Sequence, residues 1–433
     1  MSDSLVVLLD DAIAGTLTRL PSGRLRFAYD DDYRSRPSPT PLSVSISPLV
    51  RSHPDGAIAP WLWGLLPDNQ AVLDRWAREF HVSATSPFSM LATPIGHDCP
   101  GAVRFATPDA VGDVTDRTGQ VTWLTEDQVA QRLRDLREDS TAWLGRDFTG
   151  QFSLAGAQAK TALLHHDGRW GVPSGAVATS HILKPAVAGL DDHDLNEHLC
   201  LAAARRAGLV AARTRVAEFG GESAIVVDRY DRRPLDAQLA RIHQEDICQA
   251  LSIPPARKYQ NEGGPGPQDV ARLFRTAMPP RVADDAIWRF FDALAWNWLI
   301  AGTDAHAKNY SLLLAGGDVR LAPLYDVASA LPYGTDERKL RFAMEIGGDY
   351  RVYARRNPWG KAADDLGVDP ERALARVRQL AARAPDAFAD AASAPEVASL
   401  QRPLPDRLAD LIADRVDGCV AILDRPSSTG NVR

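Results

Sequence analysis

The segment Arg281–Ala301, RVADDAIWRFFDALAWNWLIA, limits what this chain can fold into more than any other feature. It is the longest and most apolar helical pattern in 433 residues. A helix of that length spans about 30 Å, and with apolar residues on most of its circumference it must be wrapped by protein. Arg289, Asp292 and Asn297 interrupt it, whereas a membrane helix needs about 18 consecutive apolar residues. The segment therefore predicts a buried core helix and no membrane span. It runs straight into Gly302-Thr303-Asp304-Ala305-His306-Ala307-Lys308-Asn309, a polar loop delivered by a rigid element.

The rest of the chain changes texture along its length. Leu5–Leu9, Gly15–Leu20 and Leu25–Tyr29 read as strands, with Pro21-Ser22-Gly23 turning between the last two. The opening MSDSLVVLLDD, whose short apolar run is bracketed by acids, reads as a strand and not as a signal peptide. Pro67 to Phe80 places Val72, Leu73, Trp76 and Phe80 on one helix face, and Gly101 to Phe105 reads as a closing strand. Pro108 to Gly119 looks like a boundary. Thr125 to Gln128 is a capping-box pattern opening a helix to about Leu144. Strands are predicted over Gln151–His165, Trp170–Pro173 and His181–Pro185, with Asp167-Gly168 as a hairpin turn. A helix over Asp194–Ala207 stops at Gly208, and Arg215–Phe219 and Ser223–Tyr230 form a hairpin at Gly220-Gly221. After Asp231 the pattern is mostly helical, broken by a strand pair at Tyr310–Leu314 and Val319–Leu321.

These readings divide the chain into a β-rich part (1–110), a linker with a helix (111–149), a nucleotide-binding part (150–232), a helical part (233–424) and a disordered tail (425–433). A β-rich half with an inserted helix, followed by a helical half, is the α+β order of a two-lobed kinase. The 56 acids outnumber the 49 basic residues, for a net charge of −7. That speaks against a broad basic face gripping nucleic acid. Cys99, Cys200, Cys248 and Cys419 lie far apart with no CxxC pair, which argues against a zinc site or disulfide framework and for a reduced, cytoplasmic home. His165-His166 and the His193/His198/Cys200 group read as hairpin and helix surface, not as metal ligands.

The loop after the apolar helix carries the sharpest chemistry. Phosphoryl transfer needs a carboxylate to orient and accept the proton of the attacking hydroxyl, and oxygen ligands for Mg²⁺. Asp304 and Asn309 have the D-x-x-x-x-N spacing of a kinase catalytic loop, and Asp326 in Pro323-Leu324-Tyr325-Asp326 follows a predicted hairpin as the second acid. Alone, the same residues read as a cap and a turn. Lys184, one of only six lysines, sits on a strand ahead of a helix carrying Glu197, the order of the ion pair that positions ATP phosphates. A solvated lysine is the plainer alternative. Phe152 to Thr161 (FSLAGAQAKT) resembles a phosphate loop but has Ala159 where the Walker pattern needs glycine, so a tight turn stays open. Asp228-Arg229-Tyr230-Asp231 reads either as a hinge holding adenine and ribose or as a linker turn. Tyr259 to Pro267 (YQNEGGPGP) reads as a flexible loop without assigned chemistry.

Taken in order, FSLAGAQAKTALL, SHILKP, NEHLCLAAARRAGL, VDRYDR, QEDICQAL, KYQNEGGPG, WLIAGTDAHAKN and LYDVASALPY resemble the HipA family, the kinase toxins of bacterial HipBA toxin–antitoxin modules. GLLPDNQAVLDRW and PIGHDCPGAVRF resemble that family's N-terminal region. The resemblance implies an ATP- and Mg²⁺-dependent serine/threonine protein kinase with a PI3-kinase-like two-lobed fold. It implies Asp304 as the catalytic base, Asn309 and Asp326 as Mg²⁺ ligands, and Lys184 on the ATP phosphates. The loop Ser153, Leu154, Ala155, Gly156, Ala157 and Gln158 would contact the phosphates, as would His306 and Lys308, with Asp228, Tyr230 and Asp231 at the adenine end. The family has glutamate where this chain has Asp228. Ser153 matches the serine that family members autophosphorylate, which ejects the loop and silences the kinase. Family members phosphorylate glutamyl-tRNA synthetase, causing growth arrest and drug tolerance, and are neutralised by a HipB-type helix-turn-helix antitoxin. DNA contact would come mainly through that partner, since no helix-turn-helix is found in this chain. A non-catalytic corepressor acting with the antitoxin, and a kinase for another protein or a small molecule, remain open as alternatives.

Overall fold

The computed structural model describes residues 3–9, 12–115, 119–187, 189–235, 238–334, 336–354 and 356–425. The expected tail therefore lies outside the described residues from 426 onward, as do positions 116–118 of the expected boundary. The chain forms two compact units, each assembled from three separate stretches of sequence. The first takes residues 1–187, 217–256 and 311–320; the second takes 188–216, 257–310 and 321–433.

In the first unit, β1 (Ser4–Leu9), β2 (Ala12–Arg19), β3 (Leu25–Tyr29), β4 (Ser52–Pro54) and β5 (Arg104–Ala106) make an antiparallel sheet in the order β4-β3-β2-β1-β5. Alternation sends Leu5, Val7, Phe27 and Tyr29 inward. There they meet Trp61 of the helix Asp55–Gly64 and Trp76 of the helix Gln70–Glu79. The first of these helices has Pro60 inside it and little polar face, so its periodicity is silent in the sequence.

A six-stranded sheet follows, built from β6 (Val121–Leu124), β7 (Thr161–His166), β8 (Arg169–Pro173), β9 (His181–Pro185), β10 (Thr214–Phe219) and β11 (Glu222–Asp228). Its order is β10-β11-β9-β7-β8-β6. Leu163, Leu183 and Val226 of this sheet pack with Val129 and Leu133 of the helix Glu126–Glu138. That helix has the expected capping box at Thr125 but stops before Leu144. Asp139 turns the chain by accepting the Thr141 amide and pairing with Arg75, which sends Trp143 and Leu144 into the core.

The region after Asp231 begins with strands where helix was expected: β12 (Arg232–Leu235), β13 (Gln238–Arg241) and β14 (His243–Asp246). Helix starts only at Ile247, where Asp246 and Gln249 form a capping box. β14 pairs antiparallel with β15 (Ser311–Ala315), which is followed by β16 (Asp318–Leu321).

The second unit is built on the helix Pro280–Ile300, packed against the helices Pro267–Ala277, Pro370–Ala392 and Leu404–Leu423. Trp296 stacks on Phe388 at 5.7 Å, and Trp298 meets Trp359 edge-on at 5.5 Å. The polar interruptions are satisfied internally. Arg289 donates to the carbonyls of Leu321 and Ala322, Asp292 pairs with Arg376, and Asn297 donates to the Ala293 carbonyl. No helix among the described residues is long and apolar enough to cross a membrane. The helix His193–Arg206 packs on Pro370–Ala392, and a small hairpin, β17 (Arg341–Ile346) and β18 (Asp349–Arg351), completes the unit.

Candidate active site

The core helix ends at Ala301 in the left-handed region, φ +53°. Gly302 follows because a Cβ there would lie 2.3 Å from Asn297 Oδ1, closer than any real contact. The loop then folds on itself. The Asp304 carbonyl accepts the His306 amide and Asn309 Nδ2, both at 2.8 Å, and the Asn309 amide returns to the His306 carbonyl at 2.9 Å. Committing Nδ2 inward turns Oδ1, the amide's metal-ligating atom, the other way. Asp304 itself is exposed, and its Oδ1 accepts the Tyr259 hydroxyl at 2.9 Å. Lys308 and His306 are buried. Burial pushes the His306 imidazole below its usual range; Lys258 and Lys308 add to this while Asp304 and Asp326 oppose it.

Asp326 adopts φ +58°, a conformation non-glycine residues rarely hold without support. The support comes from both sides. Leu324 bridges in parallel to Ala211, and the Tyr325 hydroxyl donates to the Lys308 carbonyl at 2.6 Å. Ser329 donates to the Ile300 carbonyl at 2.6 Å, and Asn196 clasps Ser329 through its own amide and carbonyl. The segment carrying Asp326 is thereby tied to the end of the helix that delivers Asp304.

The first unit holds the expected phosphate-binding residues. Lys184 lies on β9 opposite Ile225 of β11 and is buried. Residues 151–160 are a loop and not the expected strand, because their polar groups bond to other segments. The Ser153 amide donates to the Asp98 carbonyl at 3.0 Å, and its hydroxyl donates to the Leu65 carbonyl at 2.6 Å. Gly156, at φ +102°, bridges to Pro67, and its carbonyl takes the Asp68 amide. Lys160 Nζ donates to the Ala155 carbonyl at 2.7 Å and sits 4.9 Å from the centre of the Trp143 ring. Leu154 is buried in the apolar core, and Gln158 Nε2 is buried without a hydrogen-bond partner. Ser153 is 0% exposed, so its hydroxyl is out of reach in this conformation.

The expected adenine-side residues behave differently from one another. Asp228 is half-exposed and faces His181 Nε2 at 3.3 Å. Tyr230 is partly buried, and desolvation pushes its phenol well above the usual range. Asp231 is committed elsewhere: its carboxylate accepts from both Arg229 and Arg232 and from the Gly101 amide at 2.7 Å. A purine contact by that side chain would dismantle this buried network. Sequence reasoning missed β14, which pairs with the strand leaving Asn309. Gln244 on it has a buried Oε1 without a partner; the strand, HQED, has no apolar alternation to announce it, and only the capping box of Asp246 and Gln249 that ends it is a local signal.

Among the described residues no group of three or more His, Cys, Asp or Glu side chains is arranged to hold a metal. Asn309 and Asp326 fit Mg²⁺, which takes hard oxygen ligands and typically relies on one or two carboxylates plus substrate phosphates.

A buried helix delivering a carboxylate and an amide five positions apart, with a second acid braced beside that helix's end, defines a kinase-like phosphotransferase of α+β fold. Residues 152–388 match the HipA-like C-terminal domain and residues 5–106 the HipA N-terminal domain. The chain belongs to the HipA family of serine/threonine-protein kinase toxins. It is 34% identical over 343 residues to the Sinorhizobium fredii protein Y4mE, covering 78% of this chain and 79% of that one. The serine/threonine-protein kinase toxin HipA of Shewanella oneidensis is 29% identical over 379 residues, covering 84% and 83%. The fold matches a chain of the Shewanella oneidensis complex of HipA, HipB and operator DNA with a TM-score of 0.82 at 24% identity, covering 97% and 98%.

Proposed function

We propose that this protein is a cytoplasmic ATP- and Mg²⁺-dependent kinase that phosphorylates a serine or threonine of a translation component such as glutamyl-tRNA synthetase. The observation that carries the reading is the closed Asp304–Asn309 loop, which presents a solvent-facing carboxylate beside an inward-fixed amide. Asp304 orients the acceptor hydroxyl and takes its proton. Asn309 Oδ1 and Asp326 would hold Mg²⁺, which when bound neutralises charge on the transferring phosphate. Lys184, the loop 153–158, His306 and Lys308 would grip the phosphates, and the purine end falls to residues 228–230.

Autophosphorylation at Ser153 then requires the loop to leave its seat first. A phosphoserine carries about two negative charges at pH 7, and the vacated pocket offers it the Leu65 carbonyl and apolar neighbours. The modified loop therefore stays out and the kinase falls silent. A HipB-like helix-turn-helix antitoxin is the proposed neutralising partner, and a toxin–antitoxin–DNA complex is the setting in which the structural relative was solved. Purified protein incubated with labelled ATP tests the reading. Wild type should incorporate phosphate at Ser153, and Asp304→Asn should incorporate none at an unchanged melting temperature. Persistent labelling of Ser153 in that variant would move the base elsewhere.

A further inference from the structure

The loop Tyr259–Pro267, expected to be flexible, is a fixed turn bound to the catalytic loop. The amides of Glu262 and Gly264 both return to the Tyr259 carbonyl, at 3.0 and 2.9 Å, and Gly263 closes the turn at φ +87°. A Cβ on Gly264 would lie 2.2 Å from the Arg257 carbonyl oxygen, so the turn can tighten only around glycine. Main-chain and side-chain hydrogen bonds attach the turn to its surroundings. The Lys258 carbonyl accepts the Ala307 amide at 3.4 Å, and Gln260 Oε1 accepts the Glu345 amide on β17 at 2.8 Å. The Tyr259 ring stands edge-to-face on His306, with centroids 5.1 Å apart, and its hydroxyl donates to Asp304 Oδ1.

These contacts bear on a weakness of the catalytic loop. The bonds from His306 and Asn309 go to the Asp304 carbonyl and fix its main chain, not its carboxylate. An exposed aspartate side chain turns freely about its last torsion, which is broad and shallow. A base must present one oxygen along a fixed line to the acceptor hydroxyl, and small misplacements are costly in rate.

We propose that Tyr259 is the positioning residue of the phosphotransfer base: its phenolic O–H holds Asp304 Oδ1, so that Oδ2 faces the acceptor hydroxyl. The acceptor's proton passes to Oδ2, its oxygen bonds to the γ-phosphorus of ATP, and the bond from that phosphorus to the bridging oxygen breaks as ADP leaves. Tyr259 itself neither gains nor loses an atom. The ring on His306 sets the height of the hydroxyl, and the glycine turn sets the angle of the ring. This assignment rests on the kinase reading of Asp304.

The test follows phosphate incorporation from labelled ATP into the full chain at several ATP concentrations, for wild type, Tyr259→Phe and Asp304→Asn. Tyr259→Phe keeps the ring on His306 and removes only the donor. Its maximal rate should fall roughly 10- to 100-fold, the usual scale for losing one hydrogen bond to a charged group. The half-saturating ATP concentration and the melting temperature should stay at their wild-type values. A Tyr259→Phe rate within twofold of wild type would overturn the assignment. So would a raised half-saturating ATP concentration at an unchanged maximal rate, which would place Tyr259 in nucleotide binding. Silence of the wild type itself would remove the kinase reading, and this assignment with it; an active wild type beside a silent Asp304→Asn keeps the two failures apart.

Discussion

Asp98 is the point at which a single atom replacement should do the most damage to the first unit. Its Oδ1 accepts from Arg232 at 2.8 Å and from Arg241 twice, at 3.3 and 3.2 Å. Its Oδ2 accepts from Arg229 at 3.2 Å and from the amide and hydroxyl of Thr179, at 3.2 and 2.6 Å. With Asp231 included, two buried carboxylates face the buried guanidiniums of Arg229 and Arg232 and the partly buried one of Arg241, so these five groups carry one excess positive charge. Asp98→Asn raises that excess to two and turns an N–H donor toward donors. Removing one partner of a buried ion pair costs about 3–5 kcal/mol. At a urea slope of about 3 kcal/mol per molar, the midpoint should fall by roughly 1–1.7 M. Urea titration followed by tryptophan fluorescence is the assay. Asp98→Asn combined with Arg232→Met should recover part of the loss, because the second change removes the charge left stranded. A midpoint drop below about 0.3 M for the single variant, or strict additivity in the double, would refute the reasoning. The pH dependence provides a further check. Burial alone would raise the Asp98 carboxyl, but Arg232, Arg229, Arg241 and Thr179 outweigh it and hold the group well below the usual range. The unfolded chain protonates near pH 3.8 and the folded one only below that, so the contribution is full at neutral pH and is lost as pH falls below about 4. The variant should lack that acid-side loss.

Glu245 should show the opposite slope. Burial raises its carboxyl to about 8 against the hydrogen bonds from Ser43 and Val44, so the folded state keeps a proton that the unfolded chain releases above pH 4.5. Stability should therefore fall as pH rises from about 4.5 to 8, and Glu245→Gln should flatten that slope and exceed wild type by at least about 1 kcal/mol at pH 8, measured by urea melts. Gly156→Ala would force an L-residue to φ +102° and put its Cβ 2.6 Å from Lys160 Nζ. The variant should be cleaved faster within residues 153–158 by a trace protease and bind ATP about tenfold more weakly by calorimetry.

What the sequence disclosed is what neighbours in the chain can express. The 281–301 helix, the Asp304–Asn309 spacing and the Thr125 capping box are local, and each has its place in the fold. The Asp98 network is not local: its members come from positions 98, 179, 229, 231, 232 and 241, and no window contains them. Residues 151–160 carry an apolar pattern suited to a strand, yet Ser153 and Gly156 bond to other segments and Lys160 folds back onto the Ala155 carbonyl, which holds the chain as a loop. In sequence, the Tyr259–Pro267 loop with its glycines reads as flexible. The glycines instead permit the close backbone approach that brings a phenol to Asp304.

The interleaved make-up of the two units has a consequence for synthesis. The first unit takes residues 311–320, which carry β15 and most of β16, and the second resumes at 321 with the segment that carries Asp326. At about 5–20 residues per second on the ribosome, the larger part of the first unit emerges and waits while the second is interrupted and resumed. Any product cut short before 311 lacks the last strands of one unit and the Asp326 segment of the other. Premature stops, stalled ribosomes and abandoned messages should thus release inert fragments and not a partly armed toxin. For a member of a kinase-toxin family, that is a safeguard written into the order of its segments.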